Sequence, residues 1–233
     1  MAEEGDSAAP ERDWAAIVRE RLAGTAPRHD PQDWILPGLS PEGDRIYRRS
    51  LPATPVAAAV LVPLIERERP TVLLTERAPG LRTHAGQVSF PGGHVEGSDL
   101  SPAAAALRET REEIGLPERL VSVAGFLPDH IVITGFRITP VVGFVQPGFE
   151  LRLDRTEVQG TFEVPLDYIF NAANFRWERR RLIRSGEEVE FCDIPFAGRT
   201  IWGATAGMLL TLYRLCVGPL PFGRAPGGGR EPA

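Results

Sequence analysis

Residues 101–117, SPAAAALRETREEIGLP, constrain this chain more than any other stretch. Ser101 is a good helix N-cap, Pro102 suits the first helical position, and Gly115 stands where a left-handed C-terminal cap is wanted, just ahead of Pro117. The alanine-rich run between them is helix-forming. On that helix Glu109, Glu112 and Glu113 are related by i, i+3 and i+4 spacing, so the three carboxylates share one face. Exposed like-charge pairs at this spacing repel by a few tenths of a kcal/mol each, so something has to compensate. Hard divalent cations such as Mg2+ suit such a face, because they prefer carboxylate oxygens and bridge them to phosphate. Arg108 can hold one carboxylate in a bidentate contact. The competing reading is an acidic, solvated face paired with Arg108 and Arg111.

The flanking sequence is rich in strands. VAAAVLVPLI (56–65) and TVLLTER (71–77) read as two neighbouring strands separated by the polar break ERERP. A loop, APGLRTHAGQ, leads to a short strand VSF and a second loop, PGGHVEGSD, before the acidic helix. Further strands are expected in VSVAGFL, FRITPVVGFV and TEVQGTFEV, a second helix over VPLDYIFNAANF, and a strand pair around RRLIRS and EVEFCDIPF. The tally is a mixed sheet with few helices, an α/β or α+β sandwich. Residues 1–52, with one helix around Trp14 to Leu22 and a turn-rich PGLSPEGD, read as a peripheral N-terminal segment. The domain proper is expected over 53–218, with a flexible Pro- and Gly-rich tail over 219–233.

With 233 residues, one domain is the simplest reading, and 42% hydrophobic with 24% charged residues is an ordinary globular balance. A formal net charge of −5 argues against a partner such as nucleic-acid backbone. The only two cysteines, Cys192 and Cys216, form neither a metal knuckle nor a redox pair, and the acidic N-terminus lacks a secretory core, so a cytoplasmic location is expected. The apolar stretch from Trp202 to Leu220 carries Arg214 and reads as a terminal helix packed in the core rather than a membrane span.

The loop ahead of the acidic helix carries Pro91, Gly92, Gly93, Glu96, Gly97 and Asp99. Its two glycines let backbone N–H groups approach an anion, next to the electropositive end of a helix. From Gly93 to Leu116 the chain resembles the Nudix box, G-x5-E-x7-R-E-U-x-E-E-x-G-U with U apolar. It departs in three places: Asp99 for Glu, one extra residue before Arg108, and Thr110 at an apolar position. LLTERAPGLRTHAGQVSFPGG, from Leu73 to Gly93, fills every fixed position of L-L-T-x-R-x4-R-x3-G-x3-F-P-G-G, the added motif of the coenzyme A pyrophosphatase-like branch. TGFRITPVVGFV and IWGATAG extend the similarity over roughly residues 54 to 215.

The resemblance implies a Nudix fold, a mixed β-sheet sandwiched between helices, and hydrolysis of coenzyme A or acyl-coenzyme A to 3′,5′-ADP and (acyl-)4′-phosphopantetheine. It implies Mg2+ or Mn2+ on Glu109, Glu112 and Glu113, with Arg108, Glu109 and Glu112 in the chemistry. Glu157 is the downstream candidate base, chosen from a stretch that also holds Glu150, Asp154 and Glu163. Arg77, Arg82, His84 and Gln87 offer donors to phosphates, and Gly92 and Gly93 their backbone amides. Asp99 reads as a helix-entry cap or as a group supporting the ligands from behind, rather than a metal ligand itself, with the cap favoured. Two other functions compete: pyrophosphohydrolysis of another nucleoside diphosphate derivative or a nucleoside triphosphate, and a non-catalytic nucleotide-binding domain. The expected partner is a small molecule, with no nucleic acid or membrane, and the chain is a monomer or homodimer.

Overall fold

In the computed structural model, residues 12–220 are described, apart from 37, 50, 52, 82, 83, 133 and 183–185. The expected tail from 221 onward and Arg82 therefore lie outside the described residues.

Two helices come first, α1 (Trp14–Leu22) and α2 (Pro41–Arg48). They lead to the long apolar strand β1 (Val56–Ile65) and to β2 (Thr71–Arg77). β3 (Val88–Ser89) and β4 (Gly92–His94) precede α3 (Pro102–Ile114). After it run β5 (Val121–Phe126), β6 (His130–Ile131), β7 (Phe136–Val145) and β8 (Val158–Pro165). The short helix α4 (Leu166–Ile169), the strands β9 (Arg176–Arg181), β10 (Glu188–Phe196) and β11 (Arg199–Ile201), and the helix α5 (Gly203–Cys216) complete the order.

β1 organises the main sheet. It runs parallel to β7 over its whole length, from Val56 opposite Phe136 to Ile65 opposite Val145. Its other edge is divided between β4, antiparallel at Ala58 to Val60, and β2, antiparallel at Leu64 and Ile65. β8 and β3 extend from β2, while β5 and β6 pair with β7. Such a strand is covered on both faces, which is why its sequence is continuously apolar rather than alternating. Ala59, Leu61 and Ile65 pack with Ala105, Ala106 and Ile114 of α3 on one face. Val62 and Leu64 face a larger cluster that takes Val18 and Leu22 from α1, Leu209 and Leu212 from α5, and Ile194 and Ile201 from the antiparallel β9–β10–β11 sheet. The result is the expected mixed sheet flanked by helices.

The differences from expectation have local causes. PGLSPEGD is not simply turns: Ser40 accepts from Gly43 N–H at 3.1 Å, Pro41 occupies the first position, and α2 follows. VPLDYIFNAANF does not form one helix. β8 continues to Pro165, only Leu166–Ile169 is α-helical, and Asn171 caps a separate 3-10 turn at Ala172–Asn174. The N-terminal segment is more than a fringe, because Val18 and Leu22 are fully buried. Met208, Leu209, Leu210 and Leu212 of α5 are buried as expected. Among the described residues no helix is long and apolar enough to cross a membrane.

Candidate active site

The acidic helix starts and stops where its caps dictate. Ser101 Oγ accepts from Ala104 N–H at 3.2 Å, and Gly115 closes the end at φ 71° with its N–H on Arg111 O at 2.9 Å. A Cβ at residue 115 would lie 2.9 Å from the Arg152 backbone, so glycine is required there for space as well as for φ. α3 buries its alanines on the sheet, and that fixes which way its carboxylates point.

Gly92 and Gly93 are not in a free loop; they form β4, hydrogen-bonded to β1. Gly92 has φ 147°, and a Cβ on it would lie 2.6 Å from Val60 Cα. At Gly93 a Cβ would lie 2.5 Å from the carboxyl carbon of Glu109. The two glycines thus let the strand and the carboxylates of α3 approach to contact. The Gly92 N–H is committed to Glu113 Oε2 at 3.1 Å, and both glycines face Glu109 and Glu113 rather than the start of the helix. The picture of an amide cradle at the helix N-terminus needs this correction.

Arg108 is the hub of the cluster. Its guanidinium forks onto Asp99 at 3.1 and 3.0 Å, donates to Glu109 and to Glu112 at 3.0 Å each, and reaches His94 O at 3.1 Å. Asp99 also accepts from Glu96 N–H at 2.8 Å, and its carboxyl is held below the usual carboxylate range, chiefly by Arg108. Asp99 is therefore the partner that orients Arg108, not the cap of α3, which is Ser101.

The carboxylates differ in environment. Glu113 is 4% exposed, and burial pushes its carboxyl up to about 7, with the charges of Glu157 and Glu109 adding to the rise and the Gly92 N–H and Arg77 opposing it. Glu109 is also raised, first by burial, against the pull of Arg108. The Glu112 side chain is half exposed and is shared between Arg108 and Arg111.

Glu157 is exposed at the start of β8, and its carbonyl accepts from Ala78 N–H at 2.8 Å. Its charge is felt by both Glu109 and Glu113. Of the competing acids, Asp154 is spent on a turn with Thr156, and Glu163 pairs with Arg67 and Thr71. His84 and Gln87 hydrogen-bond each other at 2.8 Å in an exposed loop, with His84 at φ 58°. The structure thus gathers Gly92, Gly93, Arg108, Glu109, Glu112, Glu113, Arg77 and Glu157, and leaves His84 and Gln87 paired off.

These oxygens match a hard divalent cation in kind, and Glu109 and Glu113 are raised first by burial, with neighbouring acids adding to the rise. Among the described residues, however, no three His, Cys, Asp or Glu side chains stand preassembled as a cage, because Arg108 and the Gly92 amide occupy the carboxylates.

A glycine strand pressed against a glutamate-bearing helix, with acids gathered at their junction, suits an enzyme that handles phosphoanhydrides. The chain belongs to the NUDIX family, whose domain matches residues 55–185. It is 42% identical over 155 residues to the uncharacterized Nudix hydrolase NudL of Citrobacter koseri, covering 66% of this chain and 80% of that protein. To NudL of Escherichia coli K12 it is 41% identical over 155 residues, with the same shares covered. Among solved structures it is similar to the Ap4A hydrolase of C. elegans in a binary complex, with 21% identity and a TM-score of 0.40 over 48% of this chain and 81% of that one. It is a hydrolase acting on pyrophosphate bonds. Enzymes of this family generally use divalent metal ions and act on small nucleotide derivatives.

Proposed function

We propose that the protein is a cytoplasmic enzyme hydrolysing the diphosphate of coenzyme A or an acyl-coenzyme A to 3′,5′-ADP and (acyl-)4′-phosphopantetheine, with Mg2+ or Mn2+. The observation that carries the hydrolytic part is the convergence of Glu109 and Glu113 on the glycine strand, with the charge of Glu157 felt by both. What supports the substrate is the Leu73 to Gly93 motif, which ends in that same strand.

Glu109, Glu112 and Glu113 would hold the metal, which when bound neutralises the diphosphate and lowers the pKa of a bound water. In the reaction, a water oxygen bonds to phosphorus and the bridging P–O bond breaks with its electron pair leaving on the departing phosphate. The water proton goes to a carboxylate. Glu112, the most exposed of the helix acids, and Glu157 are the candidates for that base. Arg108 sets the orientation of Glu109 and Glu112 and is itself set by Asp99. Gly92 and Gly93 keep the strand close enough for these contacts; His84 and Gln87, on the loop ahead of β3, and Arg82 of the same motif would meet the nucleotide's phosphates.

The test is incubation with coenzyme A, dephospho-coenzyme A and ADP-ribose, each with Mg2+ and Mn2+, followed by product identification. Coenzyme A should yield 3′,5′-ADP fastest; a preference for ADP-ribose would overturn the substrate assignment. Glu112→Gln should lower turnover by orders of magnitude with an unchanged melting temperature, and full retained activity would remove α3 from the chemistry.

A further inference from the structure

We infer that Arg77 is a catalytic residue that grips the reacting diphosphate and takes up the charge developing on it, rather than a recognition residue for the distant parts of the substrate. The inference deepens, and rests on, the hydrolase reading of this site.

Four observations converge on it. First, the Arg77 Nε is a buried side-chain nitrogen without a hydrogen-bond partner among the described residues. Leaving a buried donor unmade costs about 1–3 kcal/mol, so such a group calls for an explanation, and a ligand that completes it is one. The side chain as a whole is only partly buried, so a ligand can approach its far end.

Second, Arg77 forms no ion pair with any described residue, although the carboxylate of Glu113 lies within its field. The other arginines nearby are committed: Arg108 to Asp99, Glu109 and Glu112, Arg111 to Glu118, Arg199 to Glu76, and Arg137 to Asp129. Among the described residues, Arg77 is left at the site with a charge that no contacting acid matches.

Third, the register of β2 against β8 shifts between Glu76 and Arg77, so the strand is irregular where this side chain leaves it. Bulges of this kind re-aim side chains and are common beside active sites. Fourth, its backbone is fixed on both sides: its N–H donates to Gln87 O at 3.0 Å, and its carbonyl accepts from Gly86 N–H at 3.1 Å. Its neighbour Ala78 is tied to Glu157 O at 2.8 Å. The backbone from which this guanidinium extends is thus fixed, its charge is felt by Glu113, and the next residue is tied to the Glu157 carbonyl. A side-on fork, Nε–H with one Nη–H, is the geometry that phosphate oxygens accept and that would satisfy the orphaned Nε.

A preorganised donor aimed at developing charge acts on turnover more than on binding. Arg77→Ala should lower kcat by about 10²–10³-fold while KM changes by less than about tenfold. Arg77→Lys should recover little, because a point charge cannot replace the fork. Methylguanidinium in the assay should restore part of the activity of Arg77→Ala and none of that of Glu112→Gln. Melting temperatures of the variants check folding, and if Arg77→Ala fails to fold, Arg77→Lys and Arg77→Met carry the same comparison. A kcat within about threefold of wild type in Arg77→Ala or Arg77→Met, or wild-type turnover in Arg77→Lys, would overturn the assignment.

Calorimetric titration with imidodiphosphate in the presence of Mg2+ separates this inference from the substrate assignment. A loss of affinity for imidodiphosphate in Arg77→Ala that is less than about tenfold, beside a loss of turnover of about 10²-fold on whichever diphosphate is hydrolysed, supports the role even if coenzyme A proves not to be the substrate. A loss of affinity as large as the loss of turnover overturns the role even if coenzyme A is hydrolysed.

Discussion

Two charged regions of this molecule are built on opposite rules. On the β9–β10 hairpin two neighbouring arginines are answered by acids: Arg179 by Glu190, and Arg180 by the buried Asp193 in a two-pronged contact, with the Arg180 guanidinium 4.9 Å from the Trp202 ring centre. On α3, Arg108 is divided among Asp99, Glu109 and Glu112, the last also reached by Arg111, while Glu113 has one backbone N–H and a fourth carboxylate, Glu157, adds to the repulsion. Matched charge fixes a strand pairing. Unmatched charge raises the affinity of its carboxyls for positive partners, whether a proton or a divalent ion, and it is kept at the expense of stability.

The sharpest way to break this contrast is Glu113→Gln. The amide keeps the shape and still has an oxygen for the Gly92 N–H, but removes the buried charge. Turnover should fall by at least about 10²-fold, because an interaction with the reacting diphosphate's counter-ions is lost. The melting temperature in EDTA at pH 8 should rise. A drop in both would place Glu113 with the matched pairs of the hairpin.

The pH dependence of stability separates the same two behaviours. Glu113 is raised to about 7 from an unfolded value near 4.5, so the folded state holds the extra proton between these values. By linkage its contribution is fully present below about 4.5 and is lost as pH rises through 7, by roughly 3 kcal/mol at most. His130 is fully buried, with Nδ1 3.0 Å from Pro128 O, and burial pushes it down to about 4. For the imidazole the unfolded state holds the extra proton, so stability is present above about 6.5 and is lost as pH falls through 4, again by roughly 3 kcal/mol. The two slopes oppose each other. Metal-free wild type should show a nearly flat profile from pH 5 to 6.5, Glu113→Gln should unmask the acid-side loss, and His130→Gln should unmask the alkaline-side loss. A wild-type profile unchanged by either substitution would show that neither group titrates as its burial requires.

How much of this was legible beforehand depends on how local each cause is. The ends of α3 were readable because Ser101, Pro102 and Gly115 act within one turn of themselves, and the same grammar was present at Ser40-Pro41, where the density of Pro and Gly around it favoured a turn reading over α2. The strands at 56–65 and 71–77 stand where their apolar runs end. The grouping of Glu109, Glu112 and Glu113 followed from helical spacing alone. Roles set by distant partners were not visible. Gly93 is shaped by Glu109, sixteen positions on, and Gly92 by Val60 across a strand pair, so both read as loop glycines. Asp99 looked like a cap because its true partner, Arg108, is reached only once the chain has turned back on itself. The open valence of Arg77 is a property of what does not contact it, and no spacing rule encodes that.

The hairpin supplies the smallest expected effect and the cleanest control. Arg180→Met removes the guanidinium that lies over the Phe191 and Trp202 rings, so Asp193, 4% exposed, loses its contacting cation. Breaking a fully buried pair from one side costs about 3–5 kcal/mol; here the Arg180 side chain is about a third exposed, which lets water reach the gap, and about 2 kcal/mol is expected. Adding Asp193→Asn should return most of that loss, because the stranded charge is what destabilises, and a double-mutant cycle in denaturant measures the coupling. Turnover should stay within about twofold throughout, since the pair serves the sheet. If instead Arg180→Met left stability intact and lowered turnover, the division between matched charge that builds and unmatched charge that acts would fail at the place where it is most strictly drawn.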